Sequence, residues 1–176
     1  MNSFSQAGQD LWAFKTCGEK TNGTFLDIGC NDPIVHNNTY ALEAVGWKGV
    51  CVDIVPFNYS KRRALHVVAD ARQLIPAVER FAKANNGKID YLSMDADEAS
   101  FDCLDRLVPF FKFRAITIEH DVYRLGPSIK GKIFDFLTAF DYKRVREDVR
   151  APETPGMPWS NQPFEDWYEG PVHQHS

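Results

Sequence analysis

Three things are missing from this chain, and each absence removes a class of function. No G-x-G-x-x-G occurs in its 176 residues. The first strand-like run is instead followed by GCNDP, where Asp32 would repel a pyrophosphate and Pro33 has no N–H to offer one, which argues against a nicotinamide-dependent oxidoreductase. No basic cluster is longer than Lys61-Arg62-Arg63, and the formal net charge is −4. That excludes a general polyanion binder, because nucleic-acid affinity rests mainly on phosphate neutralisation. No apolar run approaches the roughly 18 residues of a membrane span, and the opening MNSFSQAGQD has neither a basic nor an apolar targeting region. The four cysteines, at 17, 30, 51 and 103, form no C-x-x-C pair and so suggest neither a zinc site nor a disulfide scaffold. They read as reduced thiols of a cytoplasmic protein.

What remains has the make-up of one globular unit, residues 1–176, at about 150 residues per domain. The charge is unevenly placed. Residues 151–176 carry Glu153, Glu165, Asp166 and Glu169 with no Lys or Arg, so the 20 acids before them balance all 20 bases. The same stretch holds five of the ten prolines and two of the four tryptophans, which predicts a tail packed across the domain rather than a solvated linker.

Short β-rich runs alternate with helical periodicity. TFLDIG (24–29), GVCVDI (49–54), HVVADA (66–71), IDYLSMD (89–95) and AITIEHD (115–121) fit buried strands, and 141–150 fits a later antiparallel one. Leu74, Ile75, Val78, Phe81 and Ala82 recur at helical spacing. So do Phe101, Leu104 and Leu107, and Ile129, Ile133, Phe136, Leu137 and Phe140, while 5–16 reads as a leading helix. The pattern is that of an α/β protein with a mainly parallel sheet.

Each of the five strand runs ends in or beside an acid: Asp27, Asp53, Asp70, Asp95 with Asp97, and Glu119 with Asp121. One such acid is an ordinary helix cap or loop residue. Five in succession, at the edge where open parallel sheets bind ligands, predict an acidic crevice for a cationic or hydroxyl-rich ligand. A sulfonium nucleoside, positive and free of phosphate, is compatible with it. In that arrangement Asp53 suits paired ribose hydroxyls and Asp70 an adenine amino group.

Six segments in order, SQAGQD (5–10), GTFLDIGCND (23–32), NNTYALEAVGWKGVCVDIVP (37–56), IDYLSMDADE (89–98), AITIEHD (115–121) and PFEDWYEGP (163–171), resemble the FkbM-type S-adenosylmethionine-dependent methyltransferases. The resemblance implies a Rossmann-like class I methyltransferase fold, a mainly parallel seven-stranded sheet flanked by helices. It also implies O-methylation of a sugar or small polar acceptor. Matched by position, Asp27, Gly29, Cys30 and Asn31 form the first cofactor loop, Asp53 and Ile54 the ribose site, and Asp70 and Ala71 the adenine contacts. Two departures stand out: Pro33 replaces a usual glycine, and Asp97-Glu98 replaces a usual Glu-Gly pair.

Methyl transfer to a hydroxyl needs proximity and a route for the proton, supplied by a base or a metal ion. Asp95, which also borders the cofactor, Glu119 and His120 are the expected catalytic residues, and the same three the expected ligands of a divalent cation such as Mg2+, although a histidine suits that ion poorly. Cys30, with no base placed by sequence, reads as packing rather than a nucleophile. Asp97, His36 and Trp159 are candidate acceptor contacts, His173 and His175 read as solvated, and Gln6, Gln9 and Asp10 of the leading helix are candidates to cover the cofactor. The alternative to an enzyme is a non-catalytic scaffold that keeps the fold and binds the cofactor.

Overall fold

The computed structural model describes residues 1–73, 75–157 and 160–171. Seven strands form one sheet: β1 (Thr24–Ile28), β2 (Lys48–Asp53), β3 (Leu65–Val68), β4 (Lys88–Met94), β5 (Lys112–Glu119), β6 (Lys143–Arg150) and β7 (Pro163–Glu169), in the order β3-β2-β1-β4-β5-β7-β6. The first five pair in parallel, and β7 runs antiparallel between β5 and β6. The helices are α1 (Gln9–Thr16), α2 (Tyr40–Ala44), α3 (Pro76–Ala84), α4 (Ser100–Leu107), α5 (Val122–Leu125) and α6 (Pro127–Ala139), with a 3-10 turn at Asp97–Ala99.

The strands are nearly continuous apolar runs because helices cover both faces of the sheet. Alternate residues sort onto the two sides. Leu26, Ile28, Val50, Val52, Leu92, Met94, Ile116 and Ile118 pack with Val78, Leu104, Ile133 and Leu137 of α3, α4 and α6. Phe25, Cys51, Tyr91 and Ala115 pack on the other side with Ala13 of α1, Leu42 of α2 and Trp47. A fully buried side chain of this kind contributes about 1.5–3 kcal/mol, so both layers hold the sheet firmly.

The composition of residues 151–176 predicts a packed tail, and residues 163–169 are in fact an interior strand of the sheet. Its burial explains the aromatic content: Phe164, Trp167 and Tyr168 are all buried. The third strand is shorter than the sequence suggests, ending at Val68, so Asp70 and Ala71 lie in the loop beyond it. Behind α3 the chain turns through two left-handed residues, Asn86 and Gly87, and the Gly87 N–H donates to the Ala82 carbonyl. All four cysteines are unpaired thiols.

Candidate active site

Open parallel sheets bind ligands where the strand order reverses, and here that point lies between β1 and β4. A cavity of about 650 Å³ opens there, walled by the loops that leave β1 to β5. The loops of β1 and β4 touch. Gly29 sits at φ +72°, and a Cβ on it would lie 1.5 Å from the Asp95 carbonyl, so no other residue fits. Asn31 follows at φ +47° and donates its backbone N–H to Asp53 Oδ2 at 2.9 Å. Asp53 Oδ1 accepts from Val55 N at 2.8 Å, which fixes the carboxylate at the cavity wall beside the exposed Ile54.

Pro33 causes no strain, since the left-handed positions of this loop are Gly29, Asn31 and His36. Its carbonyl is held by Arg62 Nη1 at 2.8 Å. Asp32 accepts two backbone N–H bonds, from Ile34 and Val35, which hold its carboxyl below the usual range.

Of the expected cofactor residues, Gly29, Asn31, Asp53, Ile54, Asp70, Ala71 and Asp95 line the cavity. Asp70 is chelated by Arg72, at 2.7 Å and 3.0 Å, so its carboxylate meets a ligand only together with that guanidinium. Asp27 and Cys30 are buried off the wall. Asp27 accepts from Thr39 Oγ1 at 2.7 Å, and burial pushes its carboxyl up. It supports the loop from beneath. Cys30 serves through its carbonyl, which accepts from Asn37 Nδ2 at 3.0 Å.

Asp95 and Glu119 are brought together at the ends of adjacent strands and are hydrogen-bonded to each other. Burial raises Asp95 to about 7, and burial with the nearby Asp95 charge pushes Glu119 well up. Glu165 stands directly across from Glu119 in the β5–β7 register. It is 1% exposed and raised to about 8 by burial, and it accepts from Gln9 Nε2 at 3.4 Å and from the Trp167 indole N–H.

His120 does not join this group. Successive strand residues point to opposite faces, so Glu119 and the residue after it cannot both meet Asp95. His120 lies on the α6 side, with Nε2 3.2 Å from Asp166 Oδ1 and 3.9 Å from Asp148 Oδ1. The cation set of Asp95, Glu119 and His120 therefore does not converge, and the residues do not fit a metal held by that trio. Among the described residues only His120, Asp148 and Asp166 place three ligand-type atoms within 4.8 Å of one another. There, Lys130 and Arg144 already neutralise the two carboxylates at 2.7 and 3.0 Å. Val122 N–H donates to His120 Nδ1, which leaves the proton on Nε2 facing Asp166, opposite to the tautomer an Nε2-bound metal needs. This cluster is an ion-paired clasp between β5, β6 and β7.

Asp97 lines the cavity mouth, but Arg124 claims it. That guanidinium bonds Asp97 at 2.5 Å, Asp121 at 2.8 Å and Glu98 at 3.2 Å, linking the loops after β4 and β5. His36 is exposed and off the cavity wall. Trp159, His173 and His175 lie outside the described residues. Gln9 and Asp10 are buried, and Gln6, which precedes α1 rather than belonging to it, reaches the cavity. Arg72, Arg124 and Glu165 are contributors that the sequence reading did not single out. An arginine two residues after a strand-end acid was the available signal for the first.

No protein-family profile matches the chain, and no curated protein matches it. Solved structures do. A Clostridium thermocellum protein provisionally assigned as an rRNA methylase superposes with a TM-score of 0.55 at 14% identity, over 96% of this chain and 97% of its own. A Pyrococcus horikoshii protein provisionally assigned as an RNA methyltransferase gives 0.55 at 11% identity, over 94% and 81%. A Thermoplasma acidophilum protein gives 0.54 at 14%, over 93% and 84%. The fold is the Rossmann-like class I methyltransferase fold. At these identities the likeness concerns the fold alone. No helix among the described residues is long and apolar enough to cross a membrane.

Proposed function

We propose that the chain is an S-adenosylmethionine-dependent O-methyltransferase of FkbM type, acting on a hydroxyl of a sugar or another small polar acceptor. The observation that carries this reading is the Asp95–Glu119 carboxyl pair, both members pushed up by burial, at the wall of a crevice whose first loop has no phosphate cradle. The donor set fits the cofactor: carboxylates for ribose hydroxyls and an ammonium group, and no N–H nest for phosphate. Asp53 would take the ribose and Ile54 would cover the nucleoside. Asp70 with Arg72 would border the adenine, and the Gly29–Asn31 turn would pass closely beneath it. When bound, the cofactor supplies an already activated methyl group, so the protein's task is orientation and proton removal.

Asp95 accepts the acceptor's hydroxyl proton, which an ionised carboxylate with a raised pKa does well near pH 7. Glu119, holding its own proton, donates to Asp95 and keeps that carboxylate turned to the crevice. His120, on the far face, has no part in the step. A polyanionic acceptor is disfavoured by the carboxylates of Asp53, Asp95, Asp97, Glu98 and Asp121 around the cavity, so the RNA assignments of the similar structures do not carry over. The four unpaired thiols support a reducing compartment such as the cytoplasm.

The test is formation of S-adenosylhomocysteine with a panel of sugars and polar hydroxyl compounds, using wild type, Asp95→Asn and Asp53→Ala. Turnover lost in the first variant, and cofactor binding lost in the second, supports the proposal. Cofactor binding without turnover on any acceptor supports the scaffold instead.

A further inference from the structure

The residues before α1 form a strap over the crevice, and the strap is built rather than loose. Asp10 is fully buried, and its carboxylate accepts from Ser3 Oγ at 2.6 Å, Ser5 Oγ at 2.8 Å, Phe4 N at 2.8 Å and Leu11 N at 2.8 Å. Phe4 packs edge-on against Tyr40 of α2, with ring centroids 4.8 Å apart. At the other end Gln9 accepts from Ala7 N at 2.7 Å through Oε1 and donates to Glu165 through Nε2. Gly8, at φ +82°, makes the left-handed turn from strap into helix. The strap therefore spans from α2 to β7. Every polar side chain from Ser3 to Gln9 is spent on this anchoring except one. Gln6 makes no hydrogen bond among the described residues, and it lies on the cavity wall between the two anchors.

Gln6 is thus an uncommitted amide held at a ligand crevice, and the other nitrogen-bearing walls narrow what it can meet. Arg72 is committed to Asp70, and Arg124 to Asp97, Glu98 and Asp121. That leaves Gln6 and Asn31 as the side-chain amides free to meet a ligand. Asn31 sits beside Asp53 at the ribose position. Gln6 is carried by a strap whose anchors are α2 and β7, while the nucleoside stations, Asp53 and Asp70, follow β2 and β3 toward the opposite edge of the sheet. Near β4 and β5 the walls are mainly carboxyls and the arginine among them, Arg124, is already paired, so an anionic ligand group there still needs a donor, which an uncharged amide can supply.

Resting on the methyltransferase reading, we infer that Gln6 binds the amino-acid end of the cofactor, its amide N–H groups donating to the ligand carboxylate and its carbonyl accepting from the ligand ammonium. An amide suits a zwitterion because it offers both functions and adds no charge. Asp10, Ser3 and Ser5 act at one remove, as positioning residues for the strap.

The experiment compares two ligands by calorimetry on the full chain: S-adenosylhomocysteine, which has the amino-acid end, and 5′-methylthioadenosine, which lacks it. In Gln6→Ala, affinity for the first falls about 5- to 10-fold, the loss expected for one or two hydrogen bonds, and affinity for the second is unchanged. The Ser3→Ala/Ser5→Ala double variant, which frees the strap without touching the crevice, shows the same selective loss. Equal weakening of both ligands, or no change in either, overturns the assignment. A wild-type chain that binds neither ligand overturns the cofactor reading itself and the assignment with it, a result readily told apart from the others.

Discussion

Replacing Asp95 by Asn should make the protein more stable and inactive at once. Asp95 rises from an ordinary value of 3.8 to about 7 in the fold, chiefly through burial. Because the folded state holds the proton more tightly than the unfolded one, the cost of this group is absent below pH 4. It grows as pH rises toward 7 and is constant above that. At about 1.4 kcal/mol per unit, the whole shift is worth about 4 kcal/mol. Partial exposure and the proton shared with Glu119 reduce it to about 2 kcal/mol. Asn keeps the shape and can still accept the Glu119 hydrogen bond. Urea unfolding at pH 5 and pH 8 provides the assay, with the gain of the variant over wild type larger at pH 8. Methyl transfer measured in parallel should fall at least 100-fold, the usual contribution of a general base. A variant less stable than wild type at pH 8, or a gain independent of pH, would refute the assignment of Asp95 as a carboxyl strained for function.

Other substitutions probe the remaining parts. Gly29→Ala should cost several kcal/mol in chemical denaturation, because its Cβ would overlap the Asp95 carbonyl. His120→Ala should leave the pH midpoint of methyl transfer in place while lowering stability by about 1–3 kcal/mol, since Asp166 loses a buried partner; a displaced midpoint would return His120 to the chemistry. Arg62→Ala should be more damaging, about 3–5 kcal/mol by thermal or urea unfolding, because its guanidinium joins Glu43, Pro33, Asn37 and Thr39 and its loss leaves Glu43 buried without that charge. For methyl transfer itself, the acidic limb of the pH–rate profile should lie near pH 7, rising as Asp95 ionises; a limb near pH 4 would show that the base is an ordinary exposed carboxylate.

Strand ends were readable because an apolar run followed by Gly or Asp marks where a buried strand leaves the sheet. That is why Gly29, Asn31, Asp53, Asp95 and Glu119 could be named in advance as neighbours of one crevice. The face each residue takes was harder to see. Glu119 and His120 are consecutive, and the alternation that sends one to the crevice and the other to Asp166 leaves no mark in the composition of AITIEHD. The strand at 163–169 is hidden in the sequence for a related reason. PFEDWYE has two adjacent acids where a buried strand should be apolar, and only the fold reveals that Glu165 and Asp166 point to opposite faces, each with specific partners. Gln6 is legible as a residue near the cofactor but not as the uncommitted amide of the strap, and Arg124 is illegible as a site residue, because both roles depend on loops meeting in space.

The place of β7 has a consequence for the order of assembly. The strand latest in sequence is not at the rim of the sheet but between β5 and β6, which do not pair with each other. As the chain emerges during synthesis, β1 to β5 can join in parallel, while β6 has nothing to zip onto until residues 163–169 arrive. The same arrival delivers Glu165 opposite Glu119, the anchor for Gln9, and Asp166 to meet His120. Closing the sheet and finishing the crevice are thus one event, and a nascent chain that stops short of it carries an open β5 edge and an unfinished site together.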